Sequence, residues 1–146
     1  MAEMLPPEHG NLLLLQPASP GLGTDIVVTM PARVRWWLRS FQATLTTSAN
    51  VADRVPELII SIGAIEVLRV TCAQSVAASS VFIFGWHEGE RALAVTGQTS
   101  RVTALPRGYH INAGGSMATA TVNLDAVGDQ WSKIAVVVEE WIEPLA

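Results

Sequence analysis

From residue 25 onward, hydrophobic positions recur with a period of two in short runs separated by turn-forming residues. That is the pattern of half-buried β-strands. Residues 81–86 show it most clearly: Val81, Ile83 and Gly85 face one way, and Phe82, Phe84 and Trp86 the other. Residues 116–124 alternate too, with Met117, Thr119 and Thr121 opposed to Ala118, Ala120, Val122 and Leu124. In the long run 33–46, Trp36 and Leu38 share one face, whereas Phe41, Ala43 and Leu45 share a face in the opposite phase. Side chains alternate strictly along a strand, so this phase change predicts a β-bulge near Arg39 and Ser40.

Further strands are predicted over 26–30, where Pro31 ends the run, and over 57–62, 65–71, 91–95, 109–113 and 133–142. Loops are expected over 50–56 and 125–131. Turns are expected at Gly63-Ala64, over 87–90 and at Leu105-Pro106-Arg107-Gly108. Residues 64–78 carry two signals. Ile65, Leu68, Cys72 and Val76 fit helical spacing, whereas the β-branched Val67, Val70 and Thr71 favour a strand. The strand reading is taken to Thr71, with a loop through Ser80. About nine strands and no long helix predict an all-β fold, an antiparallel β-sandwich or jelly-roll-like domain spanning 25–146.

Residues 1–24 break the pattern. They hold Pro6, Pro7, Pro17 and Pro20 together with Gly10, Gly21 and Gly23, and no period of two or 3.6. Proline removes backbone donors, so this stretch is expected to be an extended, irregular N-terminal arm. It nevertheless carries Leu12, Leu13, Leu14 and Leu15 in a row. These leucines either pack on the domain's own core or dock on a neighbouring subunit.

Composition sharpens this picture. Of 146 residues, 49% are hydrophobic and only 15% charged, against about 25% charged in an average soluble domain. The mean hydropathy is +0.33. A disordered acidic or basic chain is excluded, and no apolar run approaches the roughly 20 residues a membrane-spanning helix needs. An apolar chain this poor in charge implies that part of its surface is covered, as in a subunit of an assembly. The net charge is −4 and no stretch is strongly basic, so neither nucleic acid nor membrane is expected as a partner. Eight of the nine bases are Arg, with Lys133 the single Lys; Arg suits buried and interfacial pairing. The start of the chain, without a base before Arg33, predicts no secretory signal.

Candidate chemistry is sparse. Cys72 is the only cysteine and has no partner for an intramolecular disulfide. Gly21-Leu22-Gly23 lacks the third glycine of a dinucleotide fingerprint and precedes a strand rather than a helix. His87-Glu88-Gly89-Glu90 lacks a second His at the fourth position, which a zinc helix requires. Asp125 and Asp129 could offer oxygens to Ca²⁺, but a solvated turn is the plainer reading. Glu139 and Glu140 are adjacent on a strand, so they point to opposite faces and cannot share a substrate. The chain is therefore expected to be non-enzymatic and to need no cofactor or metal.

The aromatic residues say more. Trp36 and Trp37 place one indole on each face of a strand, and Arg33, Arg35 and Arg39 interleave with them. One Trp is expected in the core and the other in a contact. Trp and Arg are enriched at binding hot spots. The candidate interface is therefore Leu12, Leu13, Leu14, Leu15, Arg35, Trp36, Trp37 and Arg39.

Several segments resemble a group of small tailed-bacteriophage virion proteins. They are residues 40–47 (SFQATLTT), 52–58 (ADRVPEL), Leu105-Pro106, 111–114 (INAG), 119–124 (TATVNL), 128–132 (GDQWS) and 138–141 (VEEW). Together they run in order over about residues 34–142. Asp53 stands where the pattern often has Asn. The resemblance implies a virion part assembled in the host cytoplasm: a head decoration or cement protein first, a neck, tail or fibre-adaptor protein as the alternative. It implies a partner in the major capsid protein or a neighbouring virion protein. The apolar surface separately implies a homo-oligomer, with a trimer favoured. A carbohydrate-binding sandwich module, with Trp36, Trp37 and Trp86 stacking on sugar rings, is the reading from a different class.

Overall fold

The computed structural model describes residues 10–72, 74–89, 93–94 and 99–143. These form eleven strands: β1 (Asn11–Leu15), β2 (Val27–Thr29), β3 (Val34–Thr46), β4 (Val55–Ile62), β5 (Ile65–Thr71), β6 (Val81–Glu88), β7 (Leu93–Ala94), β8 (Ser100–Leu105), β9 (His110–Ile111), β10 (Gly115–Val122) and β11 (Gln130–Ile142). No helix occurs among the described residues, so the fold is all-β. One sheet runs β1-β11-β3-β6-β8-β7, with β9 also paired to β3; the other runs β2-β10-β4-β5. Every pairing is antiparallel except β6 with β8.

The inner faces of the two sheets share one core. From the larger sheet come Trp36, Leu38, Phe41, Leu45, Phe84, Trp86, Trp131, Val136 and Val138; from the smaller come Val28, Leu58, Ile60 and Met117. Two buried indoles link the sheets by hydrogen bonds as well as by packing. Trp131 donates to the Asp25 carboxylate at 3.2 Å, and that carboxylate accepts from the Thr119 and Thr121 hydroxyls of β10. Trp86 donates to the Val70 carbonyl of β5 at 3.2 Å. A buried Trp brings a polar N–H with its apolar bulk, and each finds an acceptor on the opposite sheet or in the chain leading into it.

The predicted bulge is present. Val137 pairs with Ser40 and Val138 with Leu38, which leaves Arg39 as the extra residue. Buried positions accordingly fall at Val34, Trp36 and Leu38 before it, and at Phe41, Ala43 and Leu45 after it. A second bulge lies in β11. Lys133 has φ of 51°, and the buried phase shifts from Trp131 to Ile134, Val136 and Val138.

Other expectations need correction. The structure has β1 and β8 beyond the nine strands anticipated. The arm is not irregular throughout: Asn11–Leu15 pair antiparallel with β11, from Asn11 opposite Glu140 to Leu15 opposite Val136. Proline flanks this stretch without entering it, and alternate leucines can serve a sheet edge. Residues 1–9 of the arm lie outside the described residues. The described part of the 91–95 strand, Leu93–Ala94, does not return along β6 but pairs with β8. Strand β6 continues through Glu88, past the expected turn start at His87. The segment 65–71 is a strand, as its β-branched residues indicate.

The loop carboxylates are the largest departure. Neither Asp125 nor Asp129 belongs to a simple solvated turn. The side chains of Asp129 and Arg54 are both 0% exposed and form an ion pair, Nε to Oδ2, at 2.9 Å. All five guanidinium N–H groups are used, on Asp129 twice, on the Asn50 and Ala52 carbonyls, and on the Ser48 hydroxyl. Asp129 also accepts from the backbone N–H groups of Ser48 and Asp125, at 2.7 and 2.8 Å. Asp125 in turn accepts from the Ser48 hydroxyl and the Asn50 amide.

Burial pushes the Asp129 carboxyl up, but the Arg54 guanidinium and the two backbone N–H groups outweigh it and hold it below the ordinary carboxylate value. Asp125 is likewise held low, by the Ser48 hydroxyl, the Val127 N–H and the Asn50 amide.

Removing one member of a buried pair leaves the other uncompensated. Arg54→Leu is therefore expected to lose about 3–5 kcal/mol in urea unfolding at neutral pH. Asp129 contributes stability that is fully present above the unfolded carboxylate value of about 3.9. That contribution is lost as pH falls through the lower folded value. In an acid titration followed by circular dichroism, Asp129→Asn is expected to show a shallower loss of stability below about pH 4 than the native chain.

Candidate functional site

The bulge at Arg39 sets up the surface that the Trp–Arg pattern singled out. Before the bulge, β3 turns Trp36 and Leu38 inward, so Arg35 and Trp37 lie on the outer face of the larger sheet. Trp36 is 2% exposed and belongs to the core. Its N–H donates to Glu140 on β11 at 2.8 Å. Trp37 is half-buried, and its N–H donates to Glu88 at the end of β6. The two indoles thus divide as expected, one inward and one outward.

On the outer face, five side chains stack in one row across the sheet. The Arg39 guanidinium lies 3.7 Å from the centre of the Trp37 ring. The His110 ring of β9 is 5.3 Å from Trp37 and 5.6 Å from Trp141 of β11. The Arg35 guanidinium lies 5.1 Å from the Trp141 ring. Cation–π attraction favours both ends of this row. Carboxylates fix it laterally. Arg39 donates to Glu139 and to Glu88, the latter at 3.2 Å. Glu139 and Glu140 do point to opposite faces, Glu139 to Arg39 and Glu140 to Trp36. Each member of the row meets a neighbour on a different strand.

The four leucines split by strand alternation. Leu13 and Leu15 turn inward and pack against the core cluster. Leu12 and Leu14 turn outward and are 69% and 59% exposed. Leu12 pairs with Glu139, which pairs with Trp37, so Leu12 stands on the same face as the aromatic row. The structure therefore brings together Leu12, Leu14, Arg35, Trp37 and Arg39 of the candidate set. It assigns Trp36, Leu13 and Leu15 to the interior.

Four members of this face were missing from the sequence-based set: Glu88, His110, Glu139 and Trp141. Glu139 and Trp141, two residues apart on one face of β11, carry the signal that could have placed them, since pairing β11 with β3 sets them opposite Trp37 and Arg35. Of the rings considered for sugar stacking, Trp36 and Trp86 are buried, and the Arg39 guanidinium stacks on Trp37. Cys72 is buried. Among the described residues, no group of three or more His, Cys, Asp or Glu side chains could hold a metal ion.

No family model, no curated protein and no solved structure matches the chain.

Trp36→Ala is expected to cost about 3–5 kcal/mol of folding stability, as for other large-to-small core changes. Trp37→Ala is expected to cost clearly less in folding and to weaken self-association instead, as read by sedimentation. Equal thermal destabilisation by both changes, with the oligomer intact, would show that Trp37 is only a packing residue.

Proposed function

We propose that the chain is a non-enzymatic structural subunit of a tailed-phage virion, and within that class a head decoration or cement protein. The observation that carries the proposal is the outer face of the larger sheet. There a pre-ordered Arg–Trp–His–Trp–Arg row adjoins two exposed leucines on an edge strand. Such a face suits a permanent protein contact. Aromatic and Arg side chains dominate binding energy, and rigid ones lose little freedom on docking. The segments that resemble phage virion proteins supply the biological class. In a cement role this face would span the seams between capsid subunits and add buried contact that resists internal pressure.

The finer fold reading is a jelly roll. With β7, β8 and β9 set aside, the strands order as β1-β11-β3-β6 and β2-β10-β4-β5. The antiparallel neighbours β1 with β11, β2 with β10, β3 with β6 and β4 with β5 are those of one long hairpin folded over on itself. Jelly rolls occur in viral capsid and lectin domains, so the topology is compatible with the proposed role without establishing it.

Purified protein is expected to sediment at micromolar concentration as a closed homo-oligomer, a trimer first; a well-behaved monomer would count against the assembly reading. Quantitative mass spectrometry of purified virions then separates the locations. Occupancy matching the capsid lattice fits decoration, whereas occupancy matching a single ring fits a neck or tail protein.

A further inference from the structure

Strand β1 is a terminal edge strand, and β11 is the strand it pairs with. The pairing is closely fitted. A Cβ at Gly10 would stand 2.7 Å from the Glu140 carbonyl oxygen and 3.0 Å from the Trp141 ring, so the chain approaches β11 this tightly only with glycine there. Leu13 and Leu15 then cover Val138 and Val136. The strand is thus an apolar peptide seated in a specific register.

Its connection to the rest of the chain is of a different kind. The chain is fastened again at Pro20, whose carbonyl accepts from the Gln130 side chain at 2.7 Å, and at Gly23, whose N–H donates to the Asp129 carbonyl at 2.7 Å. Between these anchors and β1 lie Gln16, Pro17, Ala18 and Ser19, for which the structure shows no hydrogen bond among the described residues. Pro17 and Pro20 disfavour a helix in this link and bias the preceding Gln16 and Ser19 toward extended backbone. From Leu15 to Pro20 an extended chain reaches about 17 Å.

We propose that β1 is an exchangeable strand, received by the β11 edge of a second copy of this chain in the register seen within one copy. This deepens the self-association reading and rests on it. Exchange keeps every contact between β1 and β11, so it costs nothing in the pairing itself. The short link requires the receiving edge to lie within about 17 Å of the donor's Pro20. The two β11 edges are thereby brought close, beside Leu12 and Leu14, which a single copy leaves exposed. Closure into a ring follows if each copy both gives and receives. A second copy is the fitting recipient because its β11 already carries the complementary surface.

The test is cross-linking across the pair Leu13 and Val138. Leu13→Cys and Val138→Cys are made as separate full-length proteins, refolded together and oxidised, and read on a non-reducing gel. The expected result is a covalent species containing one of each chain, from a mixture whose folding matches the native circular dichroism. In parallel, the double variant is expected to give covalent multimers rather than only an internally cross-linked monomer. If Leu13→Cys disturbs folding, Leu15→Cys with Val136→Cys probes the same register. Native protein, in which Cys72 is buried, is the oxidation control. An oligomer that yields only intramolecular cross-links overturns exchange while leaving self-association standing. A monomer by sedimentation overturns both.

Discussion

Four passages of chain between the two sheets meet at one buried ion pair. Arg54 lies at the end of the β3-to-β4 connection and binds Ser48, Asn50 and Ala52 of that connection. Asp129 closes the β10-to-β11 connection and is held by Asp125 of the same loop. The β5-to-β6 connection is tied in where Arg54 and Val76 exchange backbone hydrogen bonds at 2.9 and 2.8 Å. The β1-to-β2 connection is tied in where the Gly23 N–H reaches the Asp129 carbonyl. Gly23 has φ of 68°, and a side chain there would run into the backbone of Ala126, so glycine is required at this approach. Burying two charges is costly in itself. Here every guanidinium donor and both carboxylate oxygens are engaged, the condition under which a buried network specifies one arrangement instead of destabilising all of them. The pair holds together the four connections by which the chain passes from one sheet to the other.

Once the crossings are fixed, two single-residue irregularities decide what the sheet displays. The bulge at Arg39 lets β3 bury Trp36 and Leu38 at one end and Phe41, Ala43 and Leu45 at the other. The bulge at Lys133 makes the matching correction in β11, so that Trp131 and Val136 both face the core. Without the first, one half of β3 would expose its apolar set, since a shift of one residue reverses every side chain. The extra residue is itself put to use, because the Arg39 side chain lies over Trp37 and bridges Glu88 and Glu139. Core packing and the outer row are thus two results of one backbone feature.

What could be read from sequence followed what is local. The alternation in 81–86 and the phase change in 33–46 belong to single strands, and both correspond to observed burial. The division of Trp36 from Trp37 needed only strand periodicity. By contrast, Arg54 and Asp129 are 75 residues apart. Nothing near either one marks it as buried, and each is of a type that is normally exposed. Strand β1 was obscured by its flanking prolines and by a run of four identical leucines, which carries no period of two although their burial alternates in the strand. His110 joined the outer row through the short β9, which pairs with β3 beyond the end of β6. Such a pairing is long-range and leaves no periodic trace. Strand β8 pairs parallel with β6, which a reading built on hairpins could not anticipate.

The use of Arg in place of Lys first pointed to contacts with other subunits, and the structure gives those side chains work inside the chain. Arg54 is buried against Asp129, Arg39 bridges two carboxylates, and Arg69 pairs with Glu57 and Glu66 on the outside of the smaller sheet. Arg35 and Arg101 lie over aromatic rings, and Arg33 donates to the Glu143 carbonyl. A planar guanidinium can meet a carboxylate and an aromatic face at once, which an ammonium cannot. Charges engaged in this way contribute less to solvating the surface than free ones would. The exposed apolar residues are correspondingly uncovered: Leu12 and Leu14 on β1, Val27 on β2, and Ile65 and Val67 on β5. β1, β2 and β5 are sheet edges, where unpaired backbone groups also invite a further strand. The same scarcity of charge thus shows twice, in ion pairs made within the chain and in sheet edges left apolar.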